Sequence, residues 1–126
     1  MSALKEAILM GTTSTAGAAT TNDTKAILGR LYAVEWIDGT LVDSVDAVLT
    51  CQNTASGVAQ TLLTLTAAND DDWYYPRDIV HSLTGGALTG TNGGDRDMPI
   101  INGVLRLVIA DGGSEATGGC IVYYYE

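Results

Sequence analysis

From Gly29 to Glu126 apolar residues recur at every second position in short runs bounded by Gly, Asn and Asp, the period of half-buried β-strands. Residues 31–37 put Tyr32, Val34 and Trp36 on one apolar face, and Asp38-Gly39 marks the turn that follows. Val45, Ala47, Leu49 and Cys51 alternate with Asp46, Val48, Thr50 and Gln52, which predicts a second strand with one wet face. Residues 58–67 read as a third, with Thr61, Leu63 and Leu65 sharing a face. Pro76 cannot donate to a ladder, so 73–81 is an edge strand or is broken there. A weak strand is expected at 87–89, between two glycine pairs, and a short one at 98–101, ended by Asn102-Gly103. The cleanest pattern is 104–110, with Leu105, Leu107 and Ile109 on one side and Arg106 on the other. Residues 120–126 close the chain and send Tyr124 opposite to Tyr123 and Tyr125. The expectation is an all-β fold, an antiparallel, jelly-roll-like β-sandwich over residues 29–126.

Residues 1–28 read differently. Leu4 and Ile8 lie four apart, as on one face of a helix, and Gly11 would end it. So short a helix is not stable alone in water, so the segment either finds a partner surface or is a disordered terminus. Residues 12–24 are small and polar without apolar periodicity, and read as a low-complexity tether. The expected organisation is an extended N-terminal arm over 1–28 and a β domain over 29–126.

Charge and chemistry narrow the function. Fifteen acids against six bases give a formal net charge of −9, which disfavours nucleic acid and anionic membranes as partners. No run approaches the ~20 apolar residues of a spanning helix, and Lys5 and Glu6 interrupt the only apolar stretch near the N-terminus. Cytoplasmic synthesis is the expectation, with Cys51 and Cys120 as buried, reduced thiols in strand-like runs. One histidine cannot complete a zinc site with two distant cysteines. The acids at 70, 71, 72, 95 and 97 lack EF-hand spacing and are expected to be solvated loops. His81 with Asp78 and Ser82 or Cys51 matches no nucleophile motif, so neither catalysis nor a cofactor is expected.

Attachment remains. Trp73, Tyr74 and Arg77 are residue types enriched at binding hot spots, and Tyr124 raises the same question. The competing reading turns Trp73 and Tyr75 to the core and leaves Tyr74 to cap the surface. The segments 29–39, 61–66, 73–78, 104–110 and 118–123 together resemble small virion proteins of tailed bacteriophages, in particular capsid decoration or cement proteins with a β-sandwich or jelly-roll body. The resemblance implies a non-enzymatic homo-oligomer on the exterior of the virion. It would bind a shell of major capsid protein, with Leu4, Ile8, Trp73, Tyr74, Arg77 and Tyr124 as contact residues. The alternative is a tail or fibre module that recognises a host-surface glycan through Trp73 and the tyrosines.

Overall fold

The computed structural model describes residues 3–87 and 96–126. Among these the chain forms strands and no helix: β1 (Leu4–Thr12), β2 (Ala19–Ile37), β3 (Asp46–Gln52), β4 (Ala59–Leu65), β5 (Asp72–Tyr74), β6 (Asp78–Ile79), β7 (Arg96–Asp97), β8 (Ile100–Ala110) and β9 (Thr117–Tyr125). All pairings are antiparallel. The main sheet runs β1-β9-β2-β8-β3-β4 with β5 also on β2, and β6 and β7 form a small second sheet. The pairing is nested, β1 with β9 and β2 with β8, which is the wrap of a jelly roll. Of the weak strand expected at 87–89, Ala87 forms an isolated bridge with His81, and the rest lies outside the described residues.

β2 holds the sandwich together. Its first part, from Ala19 to Arg30, pairs with β8, and its second, from Arg30 to Ile37, pairs with β9 on one side and β5 on the other. The two halves of the sheet thereby face each other. Val34, Trp36 and Cys120 from one half and Ala47, Leu49 and Leu107 from the other line the same small apolar void. Trp36 is fully buried, and its indole N–H donates to the Ala68 carbonyl at 3.0 Å, which satisfies the one polar atom the ring brings inside. Val45, Ala47, Leu49 and Cys51 are buried, as are Leu105, Leu107 and Ile109. These two strands follow the sequence pattern.

Several expectations are corrected. First, the segment of Leu4 and Ile8 is no helix: β1 pairs with β9 in unbroken register from Leu4–Tyr125 to Thr12–Thr117. Ala7 and Leu9 point into the core, and Leu4 and Ile8 point out. A four-residue spacing is also an even spacing, so one helical face and one strand face give the same signal there. Second, residues 12–24 are no tether. Thr13 is buried, donates to the Gly113 carbonyl at 2.6 Å and accepts from the Ala116 N–H at 2.8 Å. A tight turn follows, closed by Ser14 N–H to Ala18 O and carried by Gly17 at φ 87°, a backbone conformation that favours glycine. The Gly17 carbonyl accepts from the Gly112 N–H, and a Cβ at Gly17 would crowd the Gly112 and Gly113 nitrogens at 3.1 Å. Gly17 serves close backbone approach rather than slack. Third, Asn102-Gly103 is no turn. β8 continues through it, and Gly103, at φ 141°, lies where a side chain would collide with the Gln52 carbonyl of β3.

Two bulges shift the strand phase. Thr50 pairs with Thr61 but Leu49 with Leu63, so Leu62 is the extra residue and is buried, while Thr61 is exposed. On β2, Leu31 pairs with Tyr124 but Ala33 with Tyr123, leaving Tyr32 without a cross-strand partner on β9. Leu31, Val34 and Trp36 are therefore inside and Tyr32 is outside, which corrects the expected Tyr32–Val34–Trp36 face.

Leu9→Ala should destabilise the fold by about 2–5 kcal/mol in chemical denaturation. Ile8→Ser, one residue away on the exposed side, should change it by about 0.5 kcal/mol or less. Equal, small effects would return β1 to the status of a loose arm. Both thiols are free and buried; burial pushes Cys120 up to about 12 and raises Cys51 as well, where a backbone hydrogen bond from Asn102 partly opposes it. Neither should react with a thiol reagent at pH 8 without denaturant. The unfolded thiol ionises near 9.0 and the native Cys120 near 12, so its contribution to stability is present below pH 9 and lost as pH rises between those values. A denaturation midpoint that rises across that window would contradict this assignment.

Candidate functional site: an outward aromatic face

Directly opposed residues of an antiparallel pair share a face. One row across the outer half of the sandwich runs Ile8, Ile121, Glu35 and Trp73, on β1, β9, β2 and β5. The next rows bring Glu6 beside Tyr123 and Ala33, and Leu4 beside Tyr125 and Arg30. The bulge adds Tyr32 to this side, and the chain beyond β5 brings Tyr75 and Arg77. The result is an outward face built around five aromatic rings.

The rings support one another. Trp73 stacks on Tyr123 with centroids 5.2 Å apart and planes at 27°. Tyr32 meets Tyr75 at 5.9 Å and Tyr125 at 5.6 Å, both edge-to-face. Arg77 lies 5.8 Å over the Tyr32 ring, and its Nη1 donates to the carbonyls of Tyr32 at 2.9 Å and Pro76 at 2.7 Å. Tyr123 donates its hydroxyl to Glu35 Oε1 at 3.0 Å. Burial first, then this bond and the charges of Glu35 and Glu6, raise the Tyr123 phenol above its usual range. Ala33 is buried although it shares the face of Tyr123, so the rings cover the strand beneath them. Trp73 and Tyr75 nevertheless remain about half exposed, at 47% and 54%, and Ile8 and Leu4 extend the apolar surface at 60% and 49%.

Of the residues expected to bind a partner, Leu4, Ile8, Trp73 and Arg77 are gathered on this one face. Tyr74 and Tyr124 are not. Tyr124 is buried in the core, and Tyr74 packs partly buried against it, because the period-2 phase turns both inward. Burial raises both phenols, with the nearby charges of Asp72 and Glu126 adding to the shift. The competing reading, with Trp73 and Tyr75 in the core and Tyr74 as cap, is inverted by the structure. Sequence reasoning passed over Tyr32, whose outward position depends on a bulge. The face of Tyr123 and Tyr125 was legible from alternation alone.

Elsewhere, Asp70 and Asp71 line an open cleft with Asp38, whose backbone N–H donates to Asp71 Oδ1 at 2.7 Å. Burial, then Asp43, Asp71 and Asp70, raise the Asp38 carboxyl. No group of His, Cys, Asp and Glu among the described residues is arranged to hold a metal ion. Asp95 lies outside the described residues. His81 is exposed, Asp78 pairs with Asp97 in the small sheet, and Cys51 is buried.

Comparison with known proteins adds no relative: no family model, no curated protein and no solved structure matches the chain.

Removing the Glu35 charge tests the geometry. Glu35→Gln should lower the Tyr123 pKa, because the neutral phenol loses an anionic acceptor that favours its protonated form. An NMR titration of the tyrosine ring signals reads this shift, and an unchanged Tyr123 would separate the two side chains.

Proposed function

We propose that this chain is a non-enzymatic attachment module that docks on a protein shell, as a decoration or cement protein of a bacteriophage capsid, through its outward aromatic face. The observation that carries the proposal is the cluster of Tyr32, Trp73, Tyr75, Tyr123 and Tyr125, partly exposed yet packed ring against ring and edged by Arg77, Ile8 and Leu4. Binding hot spots concentrate such residue types in pre-ordered patches. Rings already fixed by their neighbours lose little conformational entropy on docking. The acidic surface suits a position outside a shell, away from packaged nucleic acid. Many copies on a repeating lattice can hold through modest individual contacts, because each engaged site raises the effective concentration at the next.

The glycan-binding alternative draws on the same rings. A sugar site needs convergent polar groups beside its aromatic platform. Here Arg77 Nη1 is engaged by two backbone carbonyls, and Glu35 accepts from Tyr123. Trp73 lends one ring face to Tyr123. The face is better suited to an apolar protein surface than to a saccharide.

Co-sedimentation with capsid shells prepared without the chain tests this reading. Trp73→Ala should weaken binding about 30-fold, as for a hot-spot residue. Val108→Ala, at an exposed position on β8 that pairs with Val48 of β3 in the other half of the sandwich, should leave binding unchanged. Equal binding by wild type and Trp73→Ala would remove the face from the account. Absence of shell binding, with specific retention on polysaccharide, would replace it with the glycan module.

A further inference from the structure

Three strands end the sheet system: β1 and β4 at the two ends of the main path, and β5 beside β2. An exposed edge offers unpaired backbone donors and acceptors to any other strand, and proteins blunt such edges with bulges, proline or short length. β4 carries the Leu62 bulge. β5 is three residues long and Pro76 follows it closely. β1 has no bulge, no proline and is not short; of the charged side chains that also blunt edges it carries Lys5 and Glu6, both within its first three residues. It runs nine residues in unbroken register with β9, contains no proline, and no strand among the described residues covers its other side. Its outward residues include Leu4, Ile8 and Met10, all exposed.

From this we infer that β1 is a self-pairing edge, and that two copies of the chain join through antiparallel β1 strands about a two-fold axis at Ile8. A two-fold interface must be self-complementary. A dyad perpendicular to the sheet places one residue opposite itself and keeps Ala7 and Leu9 of both copies on the core side. A dyad at Lys5 or Glu6 would oppose like charges. The dyad at Ile8, the midpoint of β1, pairs the whole strand: Leu4 with Thr12, Lys5 with Gly11, Glu6 with Met10, Ala7 with Leu9, and Ile8 with its own copy. No charge then faces a like charge, and a β-branched pair sits at the centre. The outer β5-β2-β9-β1 layers of the two copies become one continuous sheet, and the two aromatic faces point the same way.

This inference does not rest on the shell-binding reading, because it is read on the free protein. Sedimentation velocity over a concentration series should show the full chain as a dimer that dissociates on dilution. Ile8→Lys should leave the thermal midpoint close to wild type, since Ile8 is 60% exposed, and shift the chain to monomer. Met10 offers a sharper test because it faces Glu6 of the other copy. Met10→Glu should weaken the dimer roughly tenfold relative to Met10→Lys, which places unlike charges together. Ile8→Cys should form an intermolecular disulfide under mild oxidation, as opposed Cβ atoms lie about 5 Å apart. Leu28→Cys should not, and the native thiols are buried. A wild-type chain that stays monomeric up to millimolar concentration overturns the inference. So does a dimer that survives Ile8→Lys, or equal weakening by Met10→Glu and Met10→Lys.

Discussion

Tyr32 is the residue on which the rest of the structure turns. Strict alternation along β2 would put its ring inside with Val34 and Trp36, but Leu31 is the residue that is buried and Tyr32 is exposed. The extra residue between Leu31 and Ala33 changes the phase once. Before it Leu31 points inward, after it Val34 and Trp36 do, and Tyr32 is delivered to the outer surface. There it contacts Tyr75 and Tyr125 and receives Arg77. The bulge thus adds Tyr32 to the outward rings that alternation on β5 and β9 already supplies, and re-aiming a side chain next to a binding surface is a recurrent use of bulges.

The N-terminal strand completes both sets. Its inward residues Ala7 and Leu9 join the core cluster that contains Val122 and Tyr124 of β9. Its outward residues extend the aromatic face on the side away from β5. The connection to β2 has to be tight, since β1 and the start of β2 are joined by a turn that docks on the Gly112-Gly113 loop. That explains a segment rich in Gly, Ala and Thr. What a sequence presents as low complexity is here a turn, tight at Gly17 and anchored by the buried Thr13, leading into the first part of β2.

The parts of the fold legible in the sequence are those where period and phase are both undisturbed. β3 and residues 104–110 of β8 pair with each other in unbroken register, and the inward sets of residues 45–51 and 104–110 follow the pattern. Phase is lost wherever a bulge adds a residue, because nothing in the residue types around Tyr32 or Leu62 announces the extra one. The arm failed for another reason: even spacing of Leu4 and Ile8 serves a helix and a strand alike, and only pairing with β9 decides between them. For the site, residue type was a good guide and phase a poor one. Trp73, Arg77, Leu4 and Ile8 are outward, whereas Tyr74 and Tyr124, chosen for their chemistry, are inward. The grouping of four distant segments on one face is a property of sheet order, which no local pattern carries.

Hydroxyl-radical footprinting of the native protein reads the division of aromatic residues between core and outer face directly. Oxidation should be fast at Trp73 and Tyr75, substantial at Tyr32, and slow at Trp36 and Tyr124 until the chain is unfolded. Comparable rates at Trp36 and Trp73, or protection of Tyr32 to the level of Tyr124, would contradict the bulge and the face built upon it.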